Sequence, residues 1–134
     1  MMLTQDMREK VVEVARKYNL SLVLLFGSQA TGKTHKGSDY DIAYLSDAPL
    51  SLKDESKLVI DLMQMFRSEA VDIASIRGAS PLLLYEIVHT GEVLFERTPS
   101  LFTSLYVYAI RVYEEARPLF ELRSEFLKKR IAHS

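Results

Sequence analysis

Two short apolar runs joined by a polar loop restrict the fold of this 134-residue chain more than any other feature. Residues 20–26 read LSLVLLF and are followed at once by Gly27-Ser28. The polar loop ends in Asp39-Tyr40-Asp41, which leads into the second apolar run. Apolar runs of this length, bounded by Gly and Ser, are typical of buried strands. The segment therefore predicts strands over 20–26 and 39–45, with a glycine ending the first and two carboxylates opening the second.

The same loop also satisfies the P-loop pattern G-x-x-x-x-G-K-[ST], over residues 27–34. A P-loop needs a helix directly after its Lys-Thr pair, because the helix N-terminus and its N–H groups hold the phosphates. Here Gly37 disfavours a helix, and the second predicted strand begins only five residues after Thr34. A parallel crossover needs about a dozen residues or more. We therefore interpret the P-loop match as accidental and keep a P-loop NTPase as the less favoured alternative.

Periodicity and capping signals in the remaining sequence predict three helices, two further strands and a long helical tail. The helices are 4–18, one that begins at 51, and 80–91, and the strands are 70–76 and 93–95. The tail follows Thr98-Pro99 and runs to about residue 130, and Pro118 should kink it or split it in two. This order predicts an α/β or α+β fold, with a small mixed sheet flanked by helices and a C-terminal helical tail kinked near Pro118.

Three aspartates form a candidate metal site. Asp39 and Asp41 lie two residues apart in a strand, so both side chains project from one face, a few ångströms apart. Carboxylates this close repel each other unless a cation lies between them, and Asp72, within an apolar run, also needs a partner. Oxygen ligands without Cys or His favour Mg²⁺, and three carboxylates can hold two metal ions about 4 Å apart. The sequence therefore predicts a magnesium site at these positions.

The combination of a strand, Gly27-Ser28, a loop, Asp39-x-Asp41 and a third strand carrying Asp72 resembles the nucleotidyltransferase (DNA polymerase beta-like) superfamily from about residue 22 to residue 76. Within it, the chain is most similar to the minimal nucleotidyltransferases that serve as antitoxins of HEPN-domain ribonuclease toxins. The narrower similarity includes Arg77 and the GEVLF of residues 91–95. We expect a minimal nucleotidyltransferase domain over 1–97 and a helical extension over 98–134.

This resemblance implies a role for each site residue. Gly27 and Ser28 would bind the triphosphate of ATP, and Asp39 and Asp41 would hold the Mg²⁺ that bridges the phosphates. Asp72 would complete a second Mg²⁺ site and help to deprotonate the attacking hydroxyl in a two-metal, in-line mechanism. The chain would thus transfer AMP from ATP to a tyrosine of a cognate HEPN toxin and silence its ribonuclease.

Two other functions stay open beside this one. The chain could be a non-catalytic antitoxin that acts by stoichiometric binding. It could also be a transferase for small molecules, although such an enzyme ordinarily needs more chain to form an acceptor pocket.

The predicted tail is rich in aromatic side chains. It holds six of the thirteen aromatic residues of the chain, namely Phe102, Tyr106, Tyr108, Tyr113, Phe120 and Phe126. They fall on more than one helical face, so one face can pack inward while another contacts a partner, where Tyr and Phe are favoured. We therefore expect part of the tail to bind the toxin.

Several other charged residues are expected to have structural roles. Lys33 and Lys36 should be solvated loop residues, with neutralisation of triphosphate charge as the less favoured alternative. Arg77 should pair with a nearby acid, with contact to nucleotide or a partner as its less favoured alternative. The three histidines have no metal-like spacing and should lie at the surface or at helix ends.

Composition excludes several classes of function. The net charge of −1 gives no electrostatic case for binding nucleic acid or membranes, and the absence of Cys excludes disulfides and thiolate metal sites. No apolar run approaches the roughly 18 residues needed to cross a bilayer, and the N-terminal MMLTQDMREK lacks the apolar core of a signal peptide. We expect a cytoplasmic protein.

The two loop motifs predict different effects of mutation. In a P-loop the lysine contacts the β- and γ-phosphates, so its loss is severe. If Gly27 and Ser28 hold the triphosphate instead, Lys33→Ala should be mild and Ser28→Ala severe. Rates of nucleotide transfer for both variants would distinguish the motifs. An inactive Lys33→Ala beside an active Asp39→Ala would overturn our interpretation.

Overall fold

The computed structural model describes residues 3–27 and 40–132, and these form four helices and four strands. The helices are α1 Gln5–Lys17, α2 Leu52–Phe66, α3 Pro81–Thr90 and α4 Leu101–Ala132, and the strands are β1 Leu20–Phe26, β2 Tyr40–Ser46, β3 Val71–Ser75 and β4 Glu92–Glu96. Every predicted element is present. α4 is one helix that runs through Pro118, so the tail is not split there.

Hydroxyl caps set where three of the helices begin. The side chains of Thr4, Ser51 and Ser80 accept hydrogen bonds from backbone N–H groups three residues further along, at 3.1, 3.1 and 3.2 Å. Each cap satisfies one of the N–H groups that a helix leaves unpaired at its start. All three had been predicted from local sequence, and each fixes the direction in which the chain enters its helix.

The four strands form one mixed sheet in the order β3-β2-β1-β4. β1 runs antiparallel to both of its neighbours, β2 and β4, whereas β2 and β3 are parallel. The antiparallel pairing of β1 with β2 means that the loop between them returns the chain directly to the adjacent strand. This is not the parallel crossover that a P-loop requires, and the mixed sheet expected from the sequence is confirmed.

The side chains of the two sheet faces pack into two separate clusters. Leu25, Ile42 and Tyr44 pack in one cluster with α1 and α2. Leu24, Phe26 and Ala43 pack in the other with α3 and α4. Because alternate residues of a strand point to opposite faces, each cluster covers one side of the sheet. Both faces of the sheet are therefore packed against helices, up to the end of β1.

The two halves of α4 differ in burial. In the first half, Ala109 is fully buried and the Tyr113 ring stacks on Tyr85 of α3, with ring centroids 4.1 Å apart. Every residue from 121 to 132 is exposed. None of the helices in the described part of the chain is long and apolar enough to cross a membrane. Only the first half of α4 therefore contributes to the core.

A polar cluster joins α1 to α2. The Asp61 carboxylate accepts hydrogen bonds from the Tyr18 hydroxyl at 2.6 Å and from the Lys17 ammonium at 2.9 Å. Burial alone raises the pKa of Asp61, but these hydrogen bonds and the charge of Lys17 outweigh burial, so the pKa lies below its ordinary value. A carboxyl whose pKa is lowered by folding stabilises the fold while it is ionised.

We expect Asp61→Asn to lower the free energy of unfolding at neutral pH by about 1 kcal/mol, since it weakens hydrogen bonds to a charged acceptor. The difference from the wild type should begin to shrink as the pH falls below about 4, where the unfolded carboxyl is protonated, and should vanish once the pH lies below the lower folded-state pKa. Urea unfolding at several pH values measures both effects.

Glu121→Gln provides the control for this variant. Glu121 forms an exposed pair with Arg117 at 3.6 Å on α4, and such pairs contribute about 0.5 kcal/mol or less. A loss for Asp61→Asn that does not depend on pH would contradict the assigned charge of Asp61.

Candidate nucleotide and metal site

Asp41 and Asp72 face each other across two adjacent strands. In the parallel β2–β3 register Asp41 is the partner of Asp72, and neighbouring strands lie about 4.8 Å apart. Ala43 and Ala74, two residues further along each strand, belong to the cluster under α3 and α4. By the alternation of a strand, both carboxylates therefore project from that same face. The structure brings together two of the three aspartates predicted from the sequence.

The two carboxylates differ in exposure. Asp41 is half-buried on the inner strand β2, and Asp72 is exposed on β3, which is an edge strand. Two oxygen-only side chains held side by side by backbone pairing form a donor set that suits Mg²⁺. Asp39 and Ser28 lie outside the described residues, and the described residues alone contain no group of three potential ligands. The full three-aspartate site therefore stays a prediction.

Gly27 lies directly beside Asp41, at the end of β1. Its neighbour Phe26 is the register partner of Asp41. Gly27 has a φ of +77°, a left-handed conformation that side chains rarely adopt. A Cβ at this position would lie 2.5 Å from Oδ2 of Asp41. Both the backbone conformation and the close carboxylate therefore require glycine here.

Thr90 is a neighbour of this site that the sequence did not reveal. The Gly27 N–H donates a hydrogen bond to Oγ1 of Thr90 at 3.0 Å. The Thr90 hydroxyl in turn donates to the carbonyl of Glu86 at 2.8 Å. Thr90 ends α3, 63 residues further along the chain than Gly27. No local sequence signal could identify it, because the contact depends on how α3 and β1 pack.

Other residues singled out from the sequence lie away from the two carboxylates. Arg77 donates to the backbone carbonyls of Ser46 at 2.7 Å and Asp47 at 3.1 Å, at the opposite end of β2 from Asp41. The expectation that Arg77 pairs with an acid is therefore wrong, because its partners are carbonyls that need a donor at the end of a strand. His89 is exposed in the last turn of α3, as expected. Lys33, Lys36 and the other two histidines lie outside the described residues.

The comparison with known families identifies the class of this fold. A family model described as polymerase beta, nucleotidyltransferase matches residues 9–100. The chain therefore belongs to this nucleotidyltransferase family, and the superfamily predicted from the sequence is confirmed.

Two individual proteins are similar to part of the chain. The chain is 33% identical over 88 residues to protein adenylyltransferase MntA of Shewanella oneidensis, covering 64% of this chain and 63% of that protein. It is 28% identical over 87 residues to protein adenylyltransferase MntA of Aphanizomenon flos-aquae, covering 58% of this chain and 57% of that protein. The chain thus spans about three-fifths of the length of the curated relatives it matches.

One solved structure matches most of the chain. It is a crystal structure of a toxin–antitoxin with AMP-PNP, and it is similar with a TM-score of 0.76 and 27% identity. The match covers 90% of this chain and 98% of that chain. The similarity therefore includes helical residues beyond the region that the family model matches.

Two glycines with similar backbones allow a matched test of the contact between Gly27 and Asp41. Gly78 has a φ of +81°, and a Cβ there would meet nothing within 4 Å. Gly78→Ala should therefore lose only about 1–2 kcal/mol, the cost of a left-handed conformation. Gly27→Ala should lose about 1 kcal/mol more, because the Asp41 side chain must turn away from the new Cβ into a less favourable conformation. Urea unfolding measures both variants, and equal losses would contradict the close approach of Asp41.

Proposed function

We propose that this chain transfers AMP from ATP to a tyrosine hydroxyl of a cognate HEPN ribonuclease toxin and thereby neutralises the toxin. The observation that carries the proposal is the pairing of Asp41 with Asp72 beside the glycine that ends β1. The family and the names of the relatives support it, since both curated relatives are protein adenylyltransferases. The proposal places the reaction in the cytoplasm, because ATP is its substrate.

The proposed reaction assigns a task to each side chain. Gly27 and Ser28 bind the triphosphate, and Asp39, Asp41 and Asp72 hold Mg²⁺. When bound, a metal there would neutralise phosphate charge and polarise the reacting oxygens. The tyrosine oxygen attacks the α-phosphorus, a new O–P bond forms, and the bond to pyrophosphate breaks. Asp72 helps to take the proton that leaves the hydroxyl.

The exposure of Asp72 supports a protein as the acceptor. β3 is an edge strand of the sheet that residues 3–27 and 40–132 form, so no strand from these ranges lies beyond it. The Asp72 side chain is exposed, whereas Asp41 is half-buried one strand further in. A tyrosine on the surface of a folded toxin can approach such an open position. A small-molecule acceptor ordinarily needs more chain to form an enclosing pocket.

The second half of α4 supports a toxin-binding role for the tail, with a catalytic domain over 1–97 and a partner-binding extension over 98–134. Leu119, Leu122 and Phe126 are 66%, 65% and 60% exposed and follow one another at helical spacing. Such an apolar stripe is typical of a surface that binds another protein. Its position beyond the core of the domain leaves it free for a partner.

A non-catalytic antitoxin that acts only by binding is the alternative. The exposed side of α4 would serve it equally well, but it would have no need of paired carboxylates. Asp39, Asp41 and Asp72 are all present in the sequence, which supports the enzyme.

Asp41→Asn should abolish AMP transfer and leave the fold intact, since it removes a ligand charge without changing the shape of the side chain. The assay incubates antitoxin, toxin, ATP and Mg²⁺ and measures the mass of the toxin. Wild-type protein should add about 329 Da per transfer to a toxin tyrosine. The modified toxin should stay inactive as a ribonuclease after the antitoxin has been removed, because the block is covalent.

Asp61→Asn is the matched control, because Asp61 lies on α2, which packs on the other face of the sheet, and should not affect transfer. Near wild-type transfer by Asp41→Asn would remove the metal-site assignment. A toxin that is inhibited only while the antitoxin is bound, with no change in mass, would favour the binding alternative.

A further inference from the structure

We propose that Thr90 is a positioning residue for Gly27 in the nucleotide site, acting through the backbone N–H of that glycine; this inference rests on the proposed transfer of AMP. Thr90 is half-buried at the end of α3, and Gly27 is the last described residue before the loop. A single 3.0 Å hydrogen bond joins the Gly27 N–H to the Thr90 hydroxyl oxygen. This bond joins the end of β1 to the end of helix α3.

The Thr90 hydroxyl oxygen accepts from Gly27 while its own proton is donated to another group. A threonine hydroxyl carries one proton and can accept through its oxygen lone pairs. The Glu86 carbonyl accepts that proton at 2.8 Å, one turn earlier in α3. The Thr90 oxygen is therefore oriented as an acceptor toward Gly27, and rotation of the hydroxyl would break the bond to Glu86. Helix α3 thus presents a single, oriented acceptor at the end of β1.

This acceptor and the Asp41 carboxylate hold Gly27 between them. A Cβ on Gly27 would lie 2.5 Å from Asp41 Oδ2, so the carboxylate lies directly against the backbone of Gly27. The Thr90 hydroxyl fixes the N–H of the same residue. The packing of β1 places Gly27, and these two contacts orient its backbone beside Asp41. Gly27 is itself a proposed triphosphate ligand, so its orientation governs where the triphosphate lies relative to Asp41.

The test compares Thr90→Val, Thr90→Ala and Thr90→Ser in the full-length chain. Val keeps the shape of Thr but removes the acceptor, Ala removes the side chain, and Ser keeps the hydroxyl. Ser56→Ala is the matched control, because Ser56 makes the same kind of bond, to the Leu52 carbonyl at 2.9 Å, on an exposed part of α2. AMP transfer to the toxin, the KM for ATP, the affinity for AMP-PNP and the Tm are measured for each protein.

We expect Val and Ala to lower kcat/KM for ATP by roughly ten- to a hundredfold, the effect of displacing a group that positions a substrate. Much of the loss should appear as a higher KM and as weaker AMP-PNP binding at a temperature where every variant is folded. Ser should restore both, and Ser56→Ala should match the wild type. Wild-type KM and AMP-PNP affinity in Val and Ala, or a Ser variant as impaired as Val, would overturn the proposal.

The outcome for Asp41→Asn separates this inference from the proposed function. If Asp41→Asn is inactive while the Val and Ala variants transfer normally, the role of Thr90 fails and AMP transfer stands. If the wild type itself adds no mass to the toxin but binds AMP-PNP, the proposed transfer fails. In that case the affinity of the Thr90 variants for AMP-PNP still tests the positioning of Gly27.

Discussion

β1 is covered on both faces and hydrogen-bonded along both edges. Six of its seven residues are buried, and they contribute to both side-chain clusters of the domain. Each buried Leu, Val or Phe contributes about 1.5–3 kcal/mol, more than a typical single hydrogen bond in the site. The position at which β1 ends, and hence the position of Gly27, is therefore set by packing elsewhere. The packing of the core therefore determines the geometry of the candidate site.

Local sequence was sufficient to predict the helices and strands, because the capping residues and apolar patterns that indicate them lie within or beside each element. The helix starts follow from single hydroxyl residues whose capping bonds span three residues. Pro118 shows the limit of such rules, since the sequence allowed a split in the tail and the structure has one continuous helix. A proline removes one donor and crowds the preceding turn, but side-chain packing and helix formation on either side can compensate for it.

Within the site, sequence patterns predicted the residues that lie close to one another along the chain. The Gly27-Ser28 pair and the Asp39-x-Asp41 spacing can be recognised from the sequence alone. Asp72 could be proposed as their partner because a carboxylate in an apolar strand needs one, but its place opposite Asp41 depends on the strand order and register. Thr90 and the partners of Arg77 could not be found, because their contacts join distant parts of the chain through the sheet. These contacts depend on tertiary packing, which has no short sequence signature.

The crowding between Gly27 and Asp41 also bears on how such a domain can evolve. A substitution at position 27 meets two barriers, the carboxylate of Asp41 and the left-handed backbone. A descendant that loses the carboxylate loses the first barrier and keeps only the second. Asparagine tolerates a left-handed backbone far better than most residues. A lineage that abandons chemistry and keeps only binding should therefore change at both positions together, with asparagine among the first replacements for the glycine.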